Sequence, residues 1–152
     1  TGKNFFRCLY VGLGFGFVFA VEGILANWLK YGKITVNPIE AFQQYGMINL
    51  LILSIATAFS EELLNRGFLF NRLLEKTKNL PYASVISTIF FMILHIPVLV
   101  LSVKLQGMTL VIFFLTDFIL GLANTLLFYS TASLVAPILV HIFWNMTVAL
   151  YL

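Results

Sequence analysis

The stretch "FSEELLNRGFLF" (Phe59 to Phe70) sets two adjacent carboxylates, an amide and a guanidinium into an otherwise apolar run. Glu62 and Arg66 stand at i and i+4 with the acid on the amino-terminal side, the favourable order for an ion pair within a helix. Glu61 lies about 100° around such a helix from Glu62, on the face of Asn65. Arg66 can therefore neutralise Glu62 and orient the segment, which leaves Glu61 available as a general base. "HIFWN" puts His141 and Asn145 at the same spacing, an imidazole and a carboxamide on one helix face. Both can donate hydrogen bonds to one developing negative charge, as an oxyanion site requires. "FMILH" sets Phe91 one turn before His95, an aromatic wall beside an imidazole.

These polar groups sit in a chain that otherwise avoids charge. Of 152 residues, 61% are hydrophobic and 10% charged, and the mean hydropathy is +0.99. A soluble domain carries about 25% charged residues, so an all-α, polytopic membrane bundle is expected. Five stretches have the roughly 20 apolar residues a spanning helix needs: Phe5–Leu29, Gly46–Phe70, Ala83–Val103, Met108–Tyr129 and Leu134–Leu152. The second should continue as an amphipathic helix through "NRLLEKTKNLP" and stop before Pro81. Pro97 should kink the third span just past His95, and Pro137 suits the first turn of the fifth. One membrane domain, residues 1–152, accounts for the whole sequence. The opening Thr in place of Met suggests an excised or processed piece, and the first apolar run lacks a clear cleavage site for a signal peptide.

A net charge of +3 does not point to nucleic acid, because the basic residues fall between hydrophobic runs and read as orienting charges. Lys3, Arg7, Arg66, Arg72, Lys76 and Lys78 fall on one side, against Lys30, Lys33 and Lys104 on the other. The amino terminus and the 71–82 loop are therefore expected in the cytoplasm. The lone Cys8 excludes an internal disulfide and reads as a small packing residue. "GLGFG" lacks the setting of a dinucleotide loop, and Gly12 and Gly16 read instead as a small-xxx-small helix contact. Glu22 and Asp117, each alone in its span, read as polar contacts between helices. A transporter using them as ion sites would be expected to show matched repeats or broken helices, which the sequence lacks.

Depth allows the remaining groups to meet. At 1.5 Å per residue, Glu61 lies roughly 16 Å below a surface near Arg72, and His95 about 18 Å from Ala83. His141 and Asn145 lie about 10–17 Å from Leu134, an overlapping level.

"EELLNR" (Glu61 to Arg66), "FMILH" (Phe91 to His95) and "HIFWN" (His141 to Asn145) resemble, in order, the EExxxR, FxxxH and HxxxN/D motifs of the CPBP family. These are the CAAX-processing and bacteriocin-processing intramembrane proteases, also called the Abi family and related to the Ras-converting enzyme. The resemblance covers residues 46–152 as a protease core and leaves 1–45 as an additional span and loop. It implies an intramembrane endopeptidase in which Glu61 activates water with the help of His95, without an acyl-enzyme. It further implies that His141 and Asn145 form the oxyanion site, while Glu62, Arg66 and Phe91 support the catalytic groups. No cofactor is favoured, because there is no HExxH and the two histidines belong to different helices. Zinc held by Glu61, His95 and His141 is the alternative. The implied partners are a membrane-associated peptide or protein substrate and the lipid bilayer, and the implied location is a bacterial cytoplasmic membrane. A non-proteolytic scaffold or bacteriocin self-immunity protein on the same fold is the competing function.

Overall fold

The computed structural model describes residues 2–36, 40–97, 100 and 106–151. Every element among them is helical: α1 (Gly2–Tyr31), α2 (Glu40–Glu62), a π-helical segment (Leu63–Phe70), α3 (Asn71–Thr77), α4 (Leu80–Pro97), α5 (Gly107–Thr131) and α6 (Val135–Tyr151). Among the described residues, four stretches are long and apolar enough to cross a membrane: Asn4–Trp28, Gly46–Thr77, Leu80–Pro97 and Leu110–Thr131. The fifth expected span is the shorter α6, whose 17 residues reach about 26 Å. Large apolar side chains such as Tyr10, Phe17, Ile48, Leu94 and Leu115 stand exposed on these helices. Water would penalise that surface and lipid accommodates it, so the chain is an integral membrane protein.

The described residues divide into two compact units, the first made of residues 1–60 and 135–152, the second of residues 61–134. In the first, α1 runs along α6, and small residues set the distance between them. A Cβ added at Gly12 would stand 2.9 Å from the Ala136 Cα, and one at Gly16 would stand 2.9 Å from the Phe143 Cγ. The expected glycine contact is thus present, with α6 as its partner. Phe19 and Trp144 meet edge to face at 6.3 Å between ring centroids. At the far end of α1, buried Asn27 donates to the Tyr151 carbonyl and accepts from the Thr35 backbone N–H at 2.8 Å. One carboxamide therefore ties the end of α6 to the turn that follows α1. Pro137 occupies the first turn of α6 as expected. Gly46 breaks the helical path of α2 with a φ of 74°, at the residue where the sequence placed the start of the second span.

In the second unit the π-helical segment leads straight into α3, which ends at Thr77 on Lys78 in the left-handed conformation. Asn79 then caps α4, its Oδ1 accepting from the Tyr82 N–H at 3.0 Å. The preceding helix stops before Pro81 as expected. Pro81 itself lies in the opening turn of α4, where a missing N–H costs nothing. The kink expected at Pro97 falls where α4 ends. Apart from Val100, the continuation of that span to Val103 and the orienting Lys104 lie outside the described residues. Gly121 on α5 faces Thr88 on α4, and a Cβ there would lie 3.2 Å from the Thr88 Oγ1.

Candidate active site

The site in the second unit is built on a buried ion pair. Glu62 and Arg66 are both fully buried, and the Arg66 Nη1 donates to the Glu62 Oε1 at 3.0 Å. Arg66 also donates through Nη2 to the Gly121 carbonyl at 2.8 Å. Asn124, fully buried on α5, donates to the same Glu62 oxygen at 2.9 Å. Charges buried in a low-dielectric interior require such paired, hydrogen-bonded surroundings. The sequence reading identified the Glu62–Arg66 pair and missed Asn124. An amide inside an apolar span was the available signal.

The helix that carries these groups changes register immediately after Glu62. Over Leu63–Phe70 its hydrogen bonds follow the π pattern, from i to i+5. Each wider turn takes in an extra residue, and here both Asn65 and Arg66 are buried. Leu63, Leu64 and Phe68 are left exposed. This widening is not legible in the residue pattern, because an apolar pattern alone does not separate π from α geometry.

Phe91 joins the ion pair to the imidazole. Its ring lies 4.8 Å under the Arg66 guanidinium carbon on one contact and 4.3 Å from the His95 ring on the other. Its carbonyl oxygen is 2.8 Å from the His95 Nδ1. A carbonyl only accepts, so Nδ1 carries the hydrogen and Nε2 is directed to its other neighbour. That neighbour is Glu61, whose Oε2 lies 3.4 Å from the His95 Nε2. The side chains of His95 and Glu61 retain 23% and 34% exposure, whereas Glu62 and Arg66 retain none. The adjacent carboxylates thus have different surroundings: Glu62 is sealed in, and Glu61 is accessible. Both Glu61 and His95 line a cavity of about 370 Å³ whose other walls include Asn65, Phe68, Phe90 and Leu94.

His141 and Asn145 share one face of α6 in the first unit, His141 buried and Asn145 partly so. The Asn145 Nδ2 donates to the Thr57 Oγ1 at 3.3 Å, which fixes the carboxamide and occupies one of its two hydrogens. Ser54, one turn before Thr57 on α2, donates to the Met146 Sδ at 3.4 Å. Asp117, expected as a polar contact, is buried within α5. Glu22 buries one carboxylate oxygen that accepts no hydrogen bond among the described residues.

As a donor set, Glu61 and His95 suit zinc: a carboxylate oxygen and an imidazole nitrogen face one another, and the other ring nitrogen is bonded to a carbonyl as in metal-bound histidines.

Residues 43–147 match the family described as type II CAAX prenyl endopeptidase Rce1-like. The chain belongs to this family. The match spans every motif residue, from Glu61 to Asn145. Membership in the Rce1-like family, together with the four apolar helices, makes the protein an intramembrane endopeptidase of the CAAX type. Among curated proteins and solved structures, nothing matches the chain.

Proposed function

We propose that this Rce1-like protein hydrolyses a peptide bond of a membrane-associated substrate with water activated at the Glu61–His95 pair. The observation that carries the reading is the 3.4 Å approach of the Glu61 Oε2 to the His95 Nε2, with the His95 Nδ1–H already committed to the Phe91 carbonyl. Two groups that both present lone pairs at this separation need one proton between them, so the pair is equipped to accept and return a proton. Glu61 takes a proton from water while the water oxygen bonds to the scissile carbonyl carbon, and the carbonyl π electrons move to its oxygen. Collapse of that tetrahedral species breaks the C–N bond, and the leaving nitrogen takes its proton from the Glu61–His95 pair. No acyl-enzyme forms. The oxyanion role of His141 and Asn145 rests on the family pattern and on their shared helix face.

The family description points to a prenylated carboxy-terminal peptide as the substrate to try. The test is purified protein in liposomes with a farnesylated CAAX peptide, following release of the terminal tripeptide. Cleavage by wild type and its loss in Glu61→Gln would support the reading. Equal cleavage by both would end it and leave a scaffold role on the same fold.

Our reading is metal-independent, because a carboxylate and an imidazole in direct proton-exchange contact already supply the base. The competing reading holds zinc on Glu61, His95 and His141, where it would act as a Lewis acid and lower the pKa of bound water. Zinc titration of chelated enzyme decides between them: full activity at sub-stoichiometric zinc sinks the metal reading, and activity rising to one equivalent sinks ours.

A further inference from the structure

The cavity beside Glu61 contains a polar group with no assigned role. Asn65 retains only 4% exposure, and its Oδ1 is fully shielded yet accepts no hydrogen bond among the described residues. Leaving a buried carboxamide oxygen unpaired is costly, so such an atom calls for an explanation in function. Asn65 lines the same cavity as Glu61 and His95, and these are the three polar members of its ten lining residues. The rest, including Leu64, Phe68, Phe90 and Leu94, offer no strong hydrogen-bonding side chain. Of the polar three, Glu61 and His95 face each other at 3.4 Å, and the remaining His95 nitrogen is spent on Phe91.

A peptide entering this cavity brings backbone N–H groups that need acceptors once water is excluded. Apolar walls supply none. We propose that Asn65 is a substrate-binding residue whose side-chain oxygen accepts a hydrogen bond from a substrate backbone N–H flanking the scissile bond. Peptide and acceptor each relieve the other's unpaired group. The π-helical segment permits this arrangement, because it buries Asn65 together with Arg66 after Glu62. The inference rests on the peptidase reading above and adds to it the residue that aligns the substrate backbone.

The test replaces single substrate amides by esters, which removes one N–H and leaves the chain length intact. Two peptides carry the ester at the bond immediately before or immediately after the scissile one. With wild type, one of them should lose about tenfold in kcat/KM relative to the all-amide peptide, the size expected for one hydrogen bond. In Asn65→Leu the all-amide peptide should lose a similar factor, chiefly through KM, and that ester should cost nothing further. Asn65→Asp, nearly isosteric and still carrying an acceptor oxygen, should retain the preference for amide over ester. The proposal is overturned if neither ester affects wild type, or if Asn65→Leu slows amide and ester peptides by the same factor, as it would if Asn65 oriented the attacking water. Loss of the preference in Asn65→Asp overturns it as well, which keeps the test decisive if the Leu variant does not fold. Wild-type cleavage without an ester effect removes this proposal alone, whereas no cleavage of any peptide removes the peptidase reading with it.

Discussion

The two units associate helices by different means. In lipid, helices gain little from burying apolar surface against one another, so packing and hydrogen bonds must hold them. The first unit relies on close approach: Gly12 and Gly16 let α1 lie against Ala136 and Phe143 of α6. The second relies on buried charge, with Glu62, Arg66, Asn124 and the Gly121 carbonyl closing a network between the π-helical segment and α5. Close packing is forgiving of chemistry and strict about volume. A buried charge network is the reverse, and it holds a neighbouring reactive group in a set orientation. Glu61 and His95 stand beside the network, joined to it through Phe91.

The contrast can be broken at graded cost. The largest effect expected is on turnover: Glu61→Gln should lower the cleavage rate about 10²- to 10⁴-fold, the usual contribution of a general base. Its thermal unfolding should stay near wild type, because Glu61 is the accessible carboxylate. Arg66→Met should act the other way and lower stability by about 3–5 kcal/mol, since it strands Glu62 as an uncompensated buried charge. Denaturation in detergent micelles measures this. The double variant Glu62→Leu with Arg66→Met should recover much of the loss, and failure to recover would mean that the charges contribute more than mutual compensation. In the first unit, Gly16→Leu should cost about 1–3 kcal/mol by overpacking against Phe143. A rise in melting temperature for that variant would contradict the close-approach account. The smallest effect is expected from Arg72→Ala, which removes an exposed pair with Glu75 at 3.0 Å. Surface pairs of this kind contribute about 0–1 kcal/mol, so its melting curve should overlay that of wild type.

The readings that succeeded were local. Glu62 and Arg66 pair because residues four apart on a helix are neighbours whatever surrounds them. Phe91 packs on His95 for the same reason. Gly12 and Gly16 announced a helix contact, although their spacing could not say that α6 would be the partner. The helix stops before Pro81, as read, because Lys78 turns left-handed, and Asn79 then starts a new helix that proline can enter.

From the sequence alone come the membrane class, the spans, the intrahelical ion pair and the family motifs. All of these depend on composition or on neighbours within one or two turns. Only the tertiary structure decided that the Glu61 Oε2 meets the His95 Nε2, that Asn124 shares the Glu62 carboxylate, and that Asn65 is shut inside a cavity. Those contacts depend on the rotation and register of one helix against another, and on a π turn that shifts that register after Glu62. A difference of one residue in register turns a side chain toward a different neighbour, and no local spacing carries that information.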